Sequence, residues 1–132
     1  MNKLAILSVD DEKIILDSLK SQFEINFQDK YLFEFAESAE EAFELIDELI
    51  DEGFSVILVI SDYQMPGMKG DEFALNLRQK LPNSKVILLT GQINQKLALD
   101  FVNKNIFINI ISKPWSEKGL VTLVENIANN VG

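Results

Sequence analysis

Apolar and polar positions along the chain follow two alternating periods. Five short apolar runs, Leu4 to Val9, Tyr31 to Ala36, Val56 to Ile60, Val86 to Leu89 and Ile106 to Ile111, read as strands. After each run, apolar residues recur three and four apart. These stripes are Ile15, Leu19, Phe23; Ala42, Phe43, Ile46, Leu49, Ile50; Phe73, Ala74, Leu77, Leu81; Leu97, Ala98, Phe101, Val102; and Leu120, Leu123, Val124, Ile127, Val131. Each stripe predicts an amphipathic helix laid on a sheet. Boundary signals agree: Ser38 and Glu41 form a capping-box pattern before the second helix, Gly53 closes it, and Pro82-Asn83 ends the third. Ser116 is a candidate cap for the fifth.

The pattern is therefore β-α repeated five times, a doubly wound α/β unit. Strands one, three, four and five are nearly continuous in apolar residues, which predicts central parallel strands covered on both faces. The second carries Glu34 and predicts an edge. Such alternation implies right-handed crossovers with helices on both sides of one sheet. Ligands then bind at the carboxyl ends of the strands, where the strand order reverses.

Composition narrows the function classes. At 132 residues the chain has one domain's length, with no room for a second catalytic or DNA-binding unit, so 1–132 is read as one domain. There is no Cys to support a disulfide, a thiolate or a zinc finger. The first apolar run is short and ends in three acids, Asp10-Asp11-Glu12, unlike a signal peptide or a membrane span, so a cytoplasmic protein is expected. A net charge of −9 repels phosphate backbones and anionic lipid, which argues against direct nucleic-acid or membrane binding.

The residues that follow the strands carry the chemistry. They are Asp10-Asp11-Glu12 after the first, Asp62 after the third, Thr90-Gly91 after the fourth and Lys113-Pro114 after the fifth. Carboxylates packed in a partly desolvated cleft repel one another unless a cation offsets them. Mg2+, with Mn2+ as a substitute, suits an all-oxygen set; Asp11 and Asp62 are the expected direct ligands, with Asp10 acting through water. A carboxylate beside such an ion can attack phosphorus and form an acyl phosphate. The transition state then needs a cation and donors around its peripheral oxygens. Lys113, Thr90 and the backbone N–H groups near Tyr63 and Gly91 would supply them, with Gly91 leaving room beside the threonine.

Taken singly, each residue has a plainer reading. Asp11 and Glu12 suit the first turn of a helix, Asp62 a turn, Thr90 a strand end, and Lys113 an exposed snorkelling position. Their coincidence at four strand ends favours chemistry. Trp115 reads as packing at the start of the fifth helix, and Met65 and Met68 as loop packing. A cis peptide at Lys113-Pro114 would aim the lysine, although trans is the general expectation for X-Pro.

The segments Val9-Asp10-Asp11-Glu12, Ser61-Asp62-Tyr63-Gln64-Met65-Pro66-Gly67-Met68-Lys69-Gly70, Leu89-Thr90-Gly91 and Ser112-Lys113-Pro114-Trp115 resemble the receiver domain of bacterial two-component response regulators. The likeness runs from Lys3 to about Val131. It implies a CheY-like, flavodoxin-like sheet of order 2-1-3-4-5. It also implies Asp62 as phosphoacceptor, Asp10 and Asp11 as the acidic pair, Thr90 as the switch hydroxyl, Lys113 as the phosphate-pairing lysine and the Gln64 carbonyl as a metal ligand. The implied donor is a phosphohistidine on a sensor histidine kinase or phosphotransfer domain, docking near the first helix, with acetyl phosphate as a small substitute. The chemistry expected is self-phosphorylation and autodephosphorylation in a phosphorelay, switching the binding of an output partner, rather than turnover of a separate substrate. Dimerisation through the fourth helix, fifth strand and fifth helix is a further implication.

In motif style, Leu-Leu-Thr-Gly and Ser-Lys-Pro-Trp resemble receivers linked to cyclic-dinucleotide phosphodiesterase domains or hybrid kinases. A natural single-domain regulator and the amino-terminal part of a longer protein both fit. The pattern departs from the family at Ile110, where many receivers carry Tyr or Phe. Phe107 would stand on the opposite face from Ile110 in a regular strand. Gln64 and Gln92 occupy the two places that, by the resemblance, tune hydrolysis of the acyl phosphate, and they are amides and not general bases.

Three rivals remain. A degenerate receiver acting as a phosphorylation-independent interaction module conflicts with the intact Asp62, Thr90 and Lys113. An aspartyl-phosphate phosphohydrolase would need a second acid two residues after Asp62, where Gln64 stands. A flavodoxin-like carrier would need a Ser, Thr and Gly-rich first loop, where Asp10-Asp11-Glu12 would repel the flavin phosphate.

Overall fold

Ten elements alternate along the chain in a computed structural model that describes residues 3–91 and 93–130. They are β1 (Leu4–Val9), α1 (Lys13–Phe27), β2 (Leu32–Ala36), α2 (Ala39–Asp51), β3 (Ser55–Ser61), α3 (Gly70–Lys80), β4 (Lys85–Thr90), α4 (Gln95–Asn103), β5 (Asn109–Ser112) and α5 (Glu117–Asn129). The strands form one parallel sheet in the order β2-β1-β3-β4-β5. The order reverses between β1 and β3, which puts a crevice at their carboxyl ends. This is the (βα)5 architecture expected, with β2 at an edge. No helix among the described residues is long and apolar enough to cross a membrane.

Strand alternation divides the core into two layers. Ala5, Leu7 and Val9 of β1, with Val86 and Leu88 of β4, face Ala42 and Ile46 of α2, Phe73 and Leu77 of α3, and Phe101 of α4. Ile6 of β1, with Ile87 and Leu89 of β4, faces Leu19 and Phe23 of α1 and Leu120 and Val124 of α5. Each fully buried aliphatic side chain contributes about 1.5–3 kcal/mol relative to exposure. The three inner strands, β1, β3 and β4, are fixed by burial on both sides.

The helix ends follow the local signals. Ser38 accepts from the backbone N–H of Glu41 at 3.1 Å, and Gly53, at φ +88°, closes α2 with Phe54 N–H bonded back to the Leu49 carbonyl at 2.9 Å. Ser116 caps α5 by accepting from Gly119 N–H at 3.1 Å. Within the stripes, Leu16 is buried beside α1's expected positions, Ile50 is exposed, and Val131 lies outside the described residues.

The last strand departs most from the expectation. β5 begins at Asn109, not Ile106, and lies at the second edge of the sheet, half exposed. The reason is in the preceding backbone. Asn105 is left-handed at φ 56°, its N–H bonds to the Val102 carbonyl, and Ile106 N–H bonds to the Phe101 carbonyl at 3.0 Å, a glycine-type helix stop built with asparagine. The Arg78 guanidinium donates to the Asn105 and Ile106 carbonyls. These groups are already paired, so the ladder starts only with Ile108 N–H on the Val86 carbonyl at 2.8 Å. Ile106 and Phe107 are buried core without being strand, and Phe107 packs in the same layer as Ile110. The opposite-face expectation for Phe107 fails because the strand does not extend back to it.

Candidate functional site: an acidic crevice with one lysine

Three of the expected site residues stand one position beyond their strands, each held by a further rung of backbone pairing. Asp10 N–H donates to the Ala36 carbonyl at 3.1 Å, Asp62 N–H to the Val9 carbonyl at 3.0 Å, and Lys113 N–H to the Thr90 carbonyl at 3.1 Å. Thr90 is the last residue of β4, opposite Ser112 in register. Sheet geometry, rather than any loop, therefore aims the acids and the lysine into the same crevice.

Asp10, Asp62 and Thr90 are buried, at 2%, 4% and 2% exposure, whereas Asp11 and Glu12 are exposed. Lys113 Nζ lies 2.7 Å from Asp10 Oδ2, 3.3 Å from Asp62 Oδ2 and 3.7 Å from Glu12 Oε1. Asp62 Oδ1 accepts from Tyr63 N–H at 2.8 Å, and Asp10 Oδ1 accepts from Glu12 N–H at 2.9 Å. Each buried carboxylate thus has one oxygen held by backbone and one turned to the lysine.

Burial pushes Asp10 above the usual carboxylate range, against the lowering effect of its hydrogen bond from Lys113. Burial alone would lower Lys113, but the hydrogen bond to Asp10 and the charges of Asp10 and Asp62 outweigh it and hold the ammonium above its ordinary value. One lysine pairs with three carboxylates, with Asp11 beside them, so the crevice keeps an excess of negative charge.

That excess fits a hard cation. Oxygens of Asp10, Asp11, Glu12 and Asp62 lie within 4.8 Å of one another, an all-oxygen donor set of the kind that suits Mg2+. Glu12 is the member that the expected ligand set omitted. Its signal was in the sequence, as the third acid of the run. Gln64 is exposed in the loop after β3, and Gln92 lies outside the described residues.

The same loop folds back on the phosphoacceptor candidate. Gly70 N–H donates to the Tyr63 carbonyl at 2.8 Å, and a Cβ at Gly70 would meet the Asp62 carbonyl oxygen at 2.5 Å. Only glycine permits that approach. At Gly91 an added Cβ would meet Lys113 Cβ at an ordinary 3.7 Å. Met65 is buried and Met68 half-buried, as loop packing predicts. The Lys113-Pro114 peptide is cis, against the general expectation of trans. Trp115 Nε1 donates to Gln22 Oε1 at 2.9 Å, joining the start of α5 to α1. Beside the lysine lies an open groove of about 530 Å3, walled by Ile14, Ser18, Pro114 and Trp115.

A family model for the response regulator receiver domain matches residues 6–125. The chain belongs to that family. Among curated relatives, the receiver is 30% identical over 127 residues to the hydrogenase transcriptional regulatory protein HoxA of Cupriavidus necator, covering 96% of this chain and 24% of that protein. It is 31% identical over 72 residues to hybrid signal transduction histidine kinase D of Dictyostelium discoideum, covering 53% of this chain and 5% of that one. The chain spans about a quarter of the first relative and a twentieth of the second. Among solved structures, the signal receiver domain of an HD domain-containing protein from Pseudomonas fluorescens superposes with a TM-score of 0.82 at 28% identity, covering 97% of this chain and 96% of that one. A CheY-like receiver from Methanospirillum hungatei gives 0.78 at 28%, covering 98% and 96%.

Proposed function

We propose that this receiver takes a phosphoryl group onto Asp62 from a phosphohistidine of a sensor histidine kinase or phosphotransfer domain, in a Mg2+-dependent reaction. The observation that carries the reading is the placement of Asp62 Oδ2, 3.3 Å from the Lys113 ammonium inside a group of four carboxylates. An Asp62 carboxylate oxygen forms the new bond to phosphorus as the phosphorus–nitrogen bond to imidazole breaks, and the freed imidazole takes up a proton from solvent. Asp10, Asp11 and Asp62 would hold the ion, with Glu12 at its edge and the Gln64 carbonyl completing the set. The bound ion supplies charge neutralisation for the phosphoryl oxygens. Lys113 moves from Asp10 toward the phosphoryl group, and the Thr90 hydroxyl and Tyr63 N–H supply donors.

The protein is not a turnover enzyme on this reading. It phosphorylates itself from the donor, loses the group to water, and changes its affinity for an output partner. The groove beside Lys113, between α1 and the start of α5, suits a donor domain delivering its histidine to Asp62. Cytoplasmic residence and a phosphorylation-linked dimer belong to the same proposal.

Intact mass spectrometry after incubation with Mg2+ and acetyl phosphate tests it. The parent should gain one phosphoryl group, and Asp62→Asn should gain none. No adduct in the parent, with a cognate kinase failing too, would replace this reading with that of a phosphorylation-independent interaction module.

A further inference from the structure

Ile110 leaves this receiver without a ring where an aromatic side chain was the family expectation, yet three rings run outward from the phosphoacceptor. Tyr63 follows Asp62 directly, and its ring is buried 5.8 Å from that of Phe101 in α4. Phe101 in turn stands edge-on to Phe107 at 5.4 Å. On the other side Lys69 Nζ lies 5.6 Å from the centre of the Tyr63 ring and hems it in. Packed rings at these separations have defined relative orientations and little free volume between them, so one cannot turn without moving the next.

The seating of α4 makes this contact decisive. Phe101 is the one buried side chain of the helix, with Leu97 packed half-buried against the same core, whereas Leu99 and Val102 are 61% and 48% exposed. The carboxyl end is pinned, because Arg78 holds the Asn105 and Ile106 carbonyls and Ile106 N–H closes on the Phe101 carbonyl. A shift of the Phe101 ring, beside this fixed end, therefore tilts the amino-terminal half of α4.

The drive comes from one hydrogen bond. Tyr63 N–H now donates to Asp62 Oδ1 at 2.8 Å. A phosphoryl group on Asp62 offers that N–H new oxygens, and the peptide that turns toward them carries the Tyr63 ring with it. We propose that phosphorylation of Asp62 is transmitted to α4 through the rings of Tyr63, Phe101 and Phe107, in place of a rotating ring at position 110. Ile110, paired with Leu88 in register and packed in the same layer, serves as filling and not as the moving part.

This inference rests on the proposed phosphorylation, and the test separates the two. Amide hydrogen exchange over residues 95–106 is measured with and without Mg2+ and beryllofluoride, alongside intact mass after acetyl phosphate. In the parent, exchange of α4 amides should change about fivefold or more on addition of the mimic, the lower range for a coupling between sites. Phe101→Leu and Phe107→Leu should form the phosphoryl adduct as the parent does and lose the α4 response. Ile110→Ala should keep both. If Phe101→Leu loosens α4 from the start, Phe107→Leu, which leaves the Phe101 anchor in place, carries the test. Ring variants that keep the parent's α4 response, or Ile110→Ala losing it, overturn the relay. An adduct with no change at α4 in the parent overturns the relay alone, while no adduct in the parent overturns the functional reading and the relay with it.

Discussion

Ser8 and Glu34 are two side chains whose chemistry suits their surroundings poorly. The Ser8 hydroxyl is fully buried in β1 between Phe35 and Ile60 in register, with no hydrogen-bond partner among the described residues. An unpaired buried hydroxyl costs about 1–3 kcal/mol, so Ser8→Ala should stabilise the fold by about 1 kcal/mol, seen as a higher urea midpoint with an unchanged slope. Glu34, half-buried in β2, has its carboxyl pushed above the usual range by burial and then by the nearby charges of Glu52 and Glu48, with Lys20 pulling weakly the other way. The folded state therefore binds this proton more tightly than the unfolded chain does, and stability falls as pH rises through the raised value. Glu34→Gln should stabilise the fold at neutral pH by no more than about 0.5 kcal/mol for a half-buried site screened by solvent, read as a higher thermal midpoint, and the gain should vanish as pH drops below the ordinary glutamate value. A gain that persists at low pH would assign it to packing instead.

Among the elements, the loop from Asp62 to α3 and the helix α4 behave differently for reasons visible in their ends. Gly70 opens α3 with its backbone against Asp62 and Tyr63, at a distance no Cβ tolerates. Gly70→Ala must push the loop away from Asp62, costing about 1–3 kcal/mol by the usual penalty for overpacking. It should also slow acyl phosphate formation, measured as the rate of adduct growth, because Tyr63 N–H leaves its place beside Asp62. A rate equal to the parent's would separate the glycine from the chemistry. α4, held by the buried ring of Phe101 and half-buried Leu97, has little to lose by moving, and β5 beside it is a four-residue edge strand.

At the scale of the molecule, charge governs. A chain with 21 acids and 12 basic residues folds with four carboxylates gathered in one crevice, three of them paired with Lys113. A divalent ion bound only by the folded state should raise the unfolding midpoint, by about 2.7 kcal/mol at a hundredfold excess over its dissociation constant. Asp11→Asn removes an exposed donor without emptying a buried ion pair, so it should abolish most of the Mg2+ effect while leaving the metal-free midpoint nearly unchanged, as read by scanning calorimetry. A full Mg2+ response in that variant would move the ion away from Asp11.

The sequence by itself determined the five β-α repeats, the caps at Ser38 and Ser116, and the strand-end positions of Asp10, Asp62, Thr90 and Lys113. These follow from periodicity and from hydrogen bonds within a few residues, which the local sequence encodes. Tertiary structure alone decided that Ile106 and Phe107 are core but not strand, because Arg78, 27 and 28 residues away, pairs with the backbone that the ladder would have used. It also decided that Glu12 joins the acidic group, that Gly70 lies against Asp62, and that Phe107 shares a layer with Ile110 and stands edge-on to Phe101, which in turn meets Tyr63. Such contacts depend on where separate elements come to rest, and an apolar run reads the same whether it ends in a ladder or in a turn.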